Sequence, residues 1–234
     1  QTDGIVNTYA GGGPVSGPWN YWHEVPHLGV WDGVSSFAKF TFPYGISSDR
    51  FGNAYVADTQ NFKVRRISLH GEVTTLAGNT SMDWRDGMGS YGGFFSPEGI
   101  VCDSKGDVFV CDPGMPFIPE KHRIRKITPV GEVTTFAGSH RSPGEKDGIG
   151  TKAKFCNLVC LAIDNNDNIY ATERKHKIRR ITPEGEVTTI AGSTEKGHRD
   201  GPGTASRFTF PYGIAIDPLD KRLYVSECET NQIR

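Results

Sequence analysis

Residues 131–138 read Gly-Glu-Val-Thr-Thr-Phe-Ala-Gly, and near copies of this stretch occur at residues 71–78 and 185–192. A looser fourth copy, Gly-Ile-Val-Asn-Thr-Tyr-Ala-Gly, occupies residues 4–11. Self-similarity along a chain is the sequence signature of a repeat architecture. The chain is therefore expected to consist of four structural units of one kind.

A constant frame surrounds the copies. Each is followed by an Asp-Gly pair, then by a Phe, and nine residues after that Phe by an Asp. The pairs begin at Asp32, Asp86, Asp147 and Asp200, the Phe residues are Phe40, Phe94, Phe155 and Phe208, and the later Asp residues are Asp49, Asp103, Asp164 and Asp217. This frame predicts one domain, residues 1–234, with units at about 12–78, 79–138, 139–192, and 193–234 together with 1–11.

Each unit reads as four short strands joined by turns. In the second unit, residues 99–102 and 107–111 flank the turn sequence Asp-Ser-Lys-Gly, which predicts a hairpin. Residues 123–127 alternate charged and apolar side chains, and residues 132–137 are rich in β-prone Val and Thr. Repeated four-stranded antiparallel sheets are typical of the blades of a β-propeller, so the predicted fold class is all-β.

One motif resembles the NHL repeat of β-propeller proteins. It runs from Pro-x-Gly-Ile through an Asp, a short turn and an apolar strand to a basic-apolar segment, at residues 43–67, 97–127 and 211–234. The third unit departs from it, with Asn157, Leu158 and Cys160 where the others have Pro and Gly. The resemblance covers essentially the whole chain and implies the fold. It leaves the function open, because NHL propellers include protein-binding, RNA-binding and enzymatic members.

The two ends of the chain match two strands of one blade. Residues 4–10 match a fourth strand, and residues 230–234 match a third strand. An N-terminal strand that closes the last blade would give a ring of four blades. The alternative is that the 234 residues form an arc of a larger, six-bladed propeller, the more common number in the family.

Charged residues recur at two places in every unit. An acidic residue ends the second strand, and an Arg lies on the third. The acidic residues are Asp58, Asp112, Glu173 and Glu227, and the Arg residues are Arg65, Arg125, Arg179 and Arg234. We expect ion pairs within or between blades in preference to a binding ring, because partly buried carboxylates need partners. The Asp-Gly pairs are interpreted as turns in preference to calcium loops.

Aromatic residues are concentrated in the longest loop between units, residues 11–39. A second insertion, residues 113–121, is also apolar. Trp and Tyr offer large contact areas and stack on sugars or on partner side chains, although they could instead pack over the disc as a separate small core. The predicted binding residues, for a protein or glycan partner, are Trp19, Tyr21, Trp22, His23, Trp31 and Phe117.

Composition and motifs argue against several other functions. A net charge of −1 provides no field for nucleic acid or anionic membranes, and no apolar run is long enough to span a membrane. His23 and His27 are four residues apart, but Pro26 disfavours a helix that presents both to a metal. No catalytic residue, metal ligand or cofactor is predicted. The alternative is a metal-dependent lyase or hydrolase with a site in the central channel, because peptidyl-hydroxyglycine lyases share the fold.

Two features favour an extracellular or cell-surface protein. Asn79 begins an Asn-Thr-Ser glycosylation sequon, and Cys102 and Cys111 flank one predicted hairpin, which allows a cross-strand disulfide. The sequence therefore predicts a noncatalytic, glycosylated binding or assembly module. Its loops would contact a protein or glycan, and self-association into a polymer is a variant of this function.

Overall fold

The computed structural model describes residues 6–11, 30–114, 122–139 and 144–234. Their regular structure is antiparallel β-sheet, with short 3₁₀ turns near the blade edges. The chain is a four-bladed β-propeller with one sheet per blade, as the repeats predict. The 3₁₀ turns are Ser35–Phe37, Thr59–Asn61, Gly89–Tyr91, Gly150–Lys152 and Gly203–Ala205.

The first three blades share one design. The four main strands follow the chain outwards from the centre, and a two-residue strand covers the outer edge. Blade 1 consists of β1 (Gly33–Val34), β2 (Pro43–Ser48), β3 (Ala54–Asp58), β4 (Lys63–Ile67) and β5 (Glu72–Gly78). Blade 2 consists of β6 (Gly87–Met88), β7 (Ile100–Cys102), β8 (Val108–Asp112), β9 (His122–Ile127) and β10 (Glu132–Ser139).

Blade 3 repeats this design, and blade 4 has three strands within the described part of the chain. Blade 3 consists of β11 (Gly148–Ile149), β12 (Leu158–Ile163), β13 (Ile169–Glu173), β14 (Lys177–Ile181) and β15 (Glu186–Gly192). Blade 4 consists of β16 (Pro211–Ile216), β17 (Leu223–Glu227) and β18 (Gln232–Ile233).

The core lies between neighbouring blades. The innermost strands pack in sequence, β2 on β7, β7 on β12 and β12 on β16. One buried cluster joins Phe109 and Cys111 of blade 2 to Phe155 and Leu161 of blade 3. Burying apolar side chains between sheets stabilises the blades by roughly 25 cal/mol per Å² of apolar area removed from water. Because each innermost strand packs on the next, these strands surround a common central axis.

The repeated Arg residues form buried ion pairs, as expected from the sequence. In blade 3, the Arg179 guanidinium lies 3.0 Å from Glu173 and 2.8 Å from Asp147, and it stacks on Phe155. The other sets are Arg65 with Asp58, Asp32 and Phe40; Arg125 with Asp112, Asp86 and Phe94; and Arg234 with Glu227, Asp200 and Phe208. The frame seen in the sequence is thus one repeated cluster that ties the Asp-Gly loop to two strands of its blade.

The later Asp of each frame forms a turn. Asp164 Oδ1 accepts hydrogen bonds from the backbone N–H groups of Asn166 and Asn168, at 2.9 and 2.8 Å. Asp49 and Asp103 make the equivalent pairs of bonds. An Asp side chain that binds the backbone two residues on is a common turn element. These carboxylates are therefore used in joining the first strand of a blade to the second.

Residues 6–11 lie against blade 1. The Tyr9 hydroxyl donates to the carbonyl oxygens of Ser68 and Leu69, at 3.1 and 2.9 Å. A β carbon placed on Gly11 would lie 3.2 Å from the Phe40 ring, as one placed on Gly138 would lie 2.8 Å from the Phe155 ring of the next blade. The segment thus takes the position that the end of a fourth strand takes against the following blade.

The closing strand predicted at residues 4–10 is not formed by the described part of that segment. Residues 6–9 belong to no strand, and blade 4 ends at β18 with three strands. The segment makes backbone contact with blade 1, where the Gly11 N–H donates to Ser35 O at 3.0 Å. Residues 1–5 lie outside the described residues.

The prediction of a cross-strand disulfide between Cys102 and Cys111 is wrong. Cys102 pairs with Val108, whereas Cys111 lies beside Gly99, so the two thiols point to opposite faces of the sheet. Cys102 packs in the cluster between blades 1 and 2, and Cys111 packs in the cluster between blades 2 and 3. All five cysteines are free.

Candidate functional site

Blades 1 and 4 enter their innermost strands with the same sequence. Residues 40–46 and 208–214 both read Phe-Thr-Phe-Pro-Tyr-Gly-Ile. Blade 2 has Phe-Phe-Ser-Pro-Glu-Gly-Ile at 94–100, and blade 3 has Phe-Cys-Asn-Leu-Val-Cys-Leu at 155–161. The equivalent position near the start of each innermost strand is therefore occupied in turn by Tyr44, Glu98, Val159 and Tyr212, of which Val159 is completely buried. We call the end of the propeller marked by these four residues the channel mouth.

Tyr44 and Tyr212 meet at the channel mouth. Their hydroxyl groups are in hydrogen-bond contact, and their ring centres lie 6.3 Å apart with the planes tilted by 47°. Tyr44 remains 43% exposed. Two aromatic side chains from blades that are far apart in sequence thus form one surface at the end of the channel.

The aromatic residues that precede these tyrosines have an unusual backbone. Phe42 and Phe210 have φ angles of 51° and 50°, in the left-handed region that bulky residues rarely adopt. Asp58 helps to hold this turn by accepting the Thr41 N–H at 2.7 Å, and Glu227 accepts the Thr209 N–H at 2.5 Å. The Phe42 side chain is 55% exposed. Local strain of this kind is often found where a protein presents side chains for binding.

Arg174 lies beside the tyrosines. Its guanidinium carbon is 5.5 Å from the centre of the Tyr212 ring, and the hydroxyl of Thr172 donates to Tyr212 O at 2.7 Å. Among the described residues, the Arg174 guanidinium has no hydrogen-bond or ion-pair partner. The β13–β14 turn therefore presents an unused guanidinium to the channel mouth.

Glu98 contributes a carboxyl group on the blade 2 side. Burial raises its pKa to about 7, while the positive charge of Arg174 and a hydrogen bond with Ser96 act in the opposite direction. A carboxyl group with a pKa near neutrality can accept or donate a hydrogen bond at physiological pH. The channel mouth thus combines aromatic faces, a free guanidinium and an adaptable carboxyl group.

The blade 4 side of the mouth carries further charges that are already paired. Lys196 lies 5.3 Å from the centre of the Phe210 ring and forms an ion pair with Glu229 at 2.6 Å. The His176 ring contacts Phe210 edge to face, and burial lowers the His176 pKa. His176 is therefore mainly neutral, and Arg174 is left as the unpaired cation next to Tyr212.

Comparison with known proteins bears on the family and the fold. No family model matches the chain. It is 23% identical over 244 residues to NHL repeat-containing protein 2 of Homo sapiens, covering 89% of the chain and 33% of that protein. It is 27% identical over 208 residues to Protein SUPPRESSOR OF QUENCHING 1, chloroplastic, of Arabidopsis thaliana, covering 83% of the chain and 18% of that protein. These relatives agree with the repeats and the four blades, and with the resemblance to the NHL repeat.

The chain is a four-bladed β-propeller whose relatives include NHL repeat-containing proteins. It spans a third or less of the length of these two relatives. Solved structures agree on the fold. An auxiliary nutrient binding protein from Bacteroides ovatus has a TM-score of 0.63 and 23% identity, covering 85% of this chain and 48% of that chain. A putative gluconolactonase has a TM-score of 0.54 and 13% identity, covering 83% and 58%.

Most of the binding residues predicted for this propeller lie outside the described residues. These are Trp19, Tyr21, Trp22, His23 and Phe117. Trp31 is described: its side chain is 65% exposed, and its carbonyl oxygen accepts a hydrogen bond from Arg65 at 2.9 Å. The backbone of Trp31 is thus part of the blade 1 ion-pair cluster, while its indole faces solvent.

The predicted glycosylation site is also described. Asn79 Oδ1 accepts the Ser81 N–H at 2.8 Å, and Asn79 Nδ2 donates to Ser90 O at 3.3 Å. The sequon lies in the loop that follows β5 and is partly exposed. Glycosylation of the half-exposed Asn79 stays a prediction.

Sequence reasoning missed the residues of the channel mouth. In the sequence, Tyr44, Tyr212 and Glu98 are part of the repeat motif, and Arg174 belongs to no motif. A signal was present, because only units 1 and 4 share all seven residues from Phe to Ile. A comparison of the units position by position shows that units 1 and 4 carry Tyr where units 2 and 3 carry Glu and Val.

Two further properties concern only the described parts of the propeller. They contain no group of three or more His, Cys, Asp or Glu side chains placed to hold a metal ion. No helix within these ranges has the length and apolar character needed to cross a membrane.

Proposed function

We propose that this propeller is a noncatalytic binding module that holds a glycan at its channel mouth. The observation that carries the proposal is the meeting of Tyr44 and Tyr212 beside Arg174 and Glu98. Aromatic faces stack on sugar rings, and a few charged or polar groups placed among them bond to hydroxyl groups. The site thus has both parts that sugar recognition needs.

The pattern of repetition supports this placement. The side chains that recur in every blade, such as Arg179 and Asp147, are used in buried ion pairs and turns. The mouth position is Tyr in blades 1 and 4, Glu in blade 2 and Val in blade 3, and it does not belong to those clusters. Binding residues tend to occupy the variable positions of a rigid scaffold. The likeness in fold to an auxiliary nutrient binding protein agrees with a binding role.

The proposal includes an extracellular or cell-surface location. It rests on the glycosylation sequon at Asn79. A protein ligand, or a second copy of the chain, is the competing occupant.

The test is binding of the purified chain to an array of immobilised glycans. A variant with both Tyr44→Ala and Tyr212→Ala should lose the glycan signal, because it removes both aromatic faces. Tyr91→Ala is the matched control, since Tyr91 is equally aromatic, highly exposed and located in the Gly89–Tyr91 turn. Equal binding by the double variant and the wild type would exclude the channel mouth. Binding to a protein ligand without any glycan signal would favour the competing occupant.

A second candidate function is an enzyme acting at the same mouth. It is favoured by the pKa of Glu98, which lies near 7 and would suit a general base or acid, and by the likeness in fold to a putative gluconolactonase. Its test is turnover of a bound glycan or lactone by the wild type and by Glu98→Gln. Turnover that disappears in Glu98→Gln without loss of binding would establish catalysis.

A further inference from the structure

We propose that the ligand held at the channel mouth is an acidic glycan, and that Arg174 binds the carboxylate of a uronic acid unit. This inference rests on the proposed function and names its ligand class. The sugar ring would lie on the exposed face of Tyr44, with the carboxylate directed at the Arg174 guanidinium. Three features of the site lead to this assignment.

The first feature is the free guanidinium. Each of the repeated Arg residues uses its terminal nitrogens on carboxylates and carbonyl oxygens; Arg179, for example, binds Glu173, Asp147 and the carbonyl oxygen of Lys154. Arg174 makes no such bond within the described residues. A guanidinium fork matches a carboxylate with two parallel hydrogen bonds. The unused fork of Arg174 is therefore suited to a ligand carboxylate.

The second feature is that Arg174 is held in place without being neutralised. Stacking on Tyr212 orients the guanidinium, and the bond from Thr172 to Tyr212 O ties this inner-strand segment to β13. The Arg174 backbone is fixed as well, because its N–H donates to Asn157 O at 2.9 Å. A preorganised group loses less conformational freedom when it binds a ligand.

The third feature is the weak negative field around Arg174. Glu145 and Glu229 are each paired with a lysine, at 2.6 Å to Lys177 and 2.6 Å to Lys196. Glu98 is an acid at the mouth on which Arg174 acts, and its raised pKa leaves it partly protonated at neutral pH. A protonated Glu98 can donate a hydrogen bond to a sugar oxygen. A ligand carboxylate therefore meets little repulsion there.

The test compares matched ligands by isothermal titration calorimetry. The ligands are trisaccharides of galacturonate, glucuronate and mannuronate, each with its methyl ester, which keeps the ring and removes the charge. The proteins are the wild type, Arg174→Gln and Arg174→Lys. Arg50→Gln is the control, because Arg50 also stacks on a ring, that of Phe51 at 4.9 Å, but is exposed and lies in the turn after β2.

The expected result is that the wild type binds at least one acid form about 10- to 100-fold more tightly than its ester, the range for charge-assisted hydrogen bonds. Arg174→Gln should remove this preference, Arg174→Lys should restore part of it, and Arg50→Gln should leave it intact. Thermal unfolding of each variant verifies that it is folded.

Two results would overturn the inference, and they can be told apart. Equal binding of acid and ester, with both weakened by Tyr44→Ala, would show a neutral glycan site and would leave the proposed function standing. Failure of every trisaccharide to bind a folded wild-type protein would overturn the acidic ligand. If the glycan array is negative as well, the proposed function fails with it.

Discussion

The guanidinium carbon of Arg179 lies 5.2 Å from the centre of the Phe155 ring, and the side chains of both residues are completely or almost completely buried. The same relationship joins Arg234 to Phe208 at 5.2 Å, but the Arg234 side chain is partly exposed. In blades 1 to 3, a Thr of the fourth strand also binds the Asp of the cluster, as Thr189 binds Asp147. The repeated cluster is therefore more enclosed in blade 3 than in blade 4.

Replacing Arg179 by Met should destabilise the fold strongly. The substitution leaves the Glu173 carboxylate buried without its charged partner, which typically costs about 3–5 kcal/mol. Arg234→Met should cost clearly less, because water reaches that cluster. Urea denaturation of both variants measures the difference, with the exposed Arg222→Met as the control. A smaller loss for Arg179→Met than for Arg234→Met would contradict the burial argument.

Stability should depend on pH through Glu98. Burial raises the Glu98 pKa from 4.5 to about 7, so the folded state holds its proton more tightly than the unfolded state does. The resulting stabilisation is fully present below about 4.5 and is lost as the pH rises through about 7. Arg174, Asp112, Cys111 and Ser96 surround this carboxyl group. Melting temperatures measured from pH 5 to 8 should fall more steeply for the wild type than for Glu98→Gln.

The affinity for an acidic glycan should also depend on the protonation of Glu98. Deprotonation of Glu98 adds a negative charge to the channel mouth, so the affinity should fall between pH 6 and pH 8. Glu98→Gln should bind with an affinity that changes little over this range. Calorimetric titrations at the two pH values compare the proteins, and a steeper decline for Glu98→Gln would show that another group controls the response.

The five thiols should differ in reactivity. Cys228 is exposed and Cys160 is partly exposed, whereas Cys102, Cys111 and Cys156 are buried. Burial raises the Cys102 pKa to about 12, which keeps that thiol protonated and unreactive. Titration of the native protein with a thiol reagent should modify Cys228 first, and the buried thiols only after unfolding. Rapid modification of Cys102 in the native state would contradict the packing between blades 1 and 2.

Asn79 should carry a glycan when the chain is expressed through a eukaryotic secretory pathway. The sequon follows a strand end and lies in a loop, where the acceptor amide can be reached. Mass spectrometry before and after enzymatic deglycosylation detects the modification, and Asn79→Gln is the negative control. An unmodified Asn79 in secreted protein would remove the support that the sequon gives to an extracellular location.

The blades could be predicted from the sequence because their determinants are local. Apolar alternation, turn residues and the Arg and Asp positions all recur within one unit, so each unit provides evidence for the others. The ion pairs could also be predicted from the sequence, since Arg179 and Glu173 lie six residues apart on adjacent strands. The disulfide prediction failed because proximity in a hairpin does not give the register, and register decides which face of the sheet each Cys occupies.

The channel mouth could not be predicted in the same way. Tyr44 and Tyr212 are 168 residues apart and meet only because the blades are arranged around an axis. Arg174 is important because its guanidinium makes no hydrogen bond or ion pair within the described residues, and a sequence cannot reveal this. The aromatic loop is recognisable in the sequence because several Trp residues lie within residues 11–39, whereas a single Tyr within a repeat motif gives no such signal.

We propose that the channel mouth binds a glycan. The most direct test is to measure the affinity for the glycan that binds best on the array. The proteins compared are the wild type and the double variant with Tyr44→Ala and Tyr212→Ala. The account predicts that the double variant is folded and loses at least about tenfold in affinity, as expected when aromatic stacking is removed. Tyr91→Ala should bind like the wild type. A folded double variant with unchanged affinity would contradict the account, because the glycan would then bind elsewhere on the propeller.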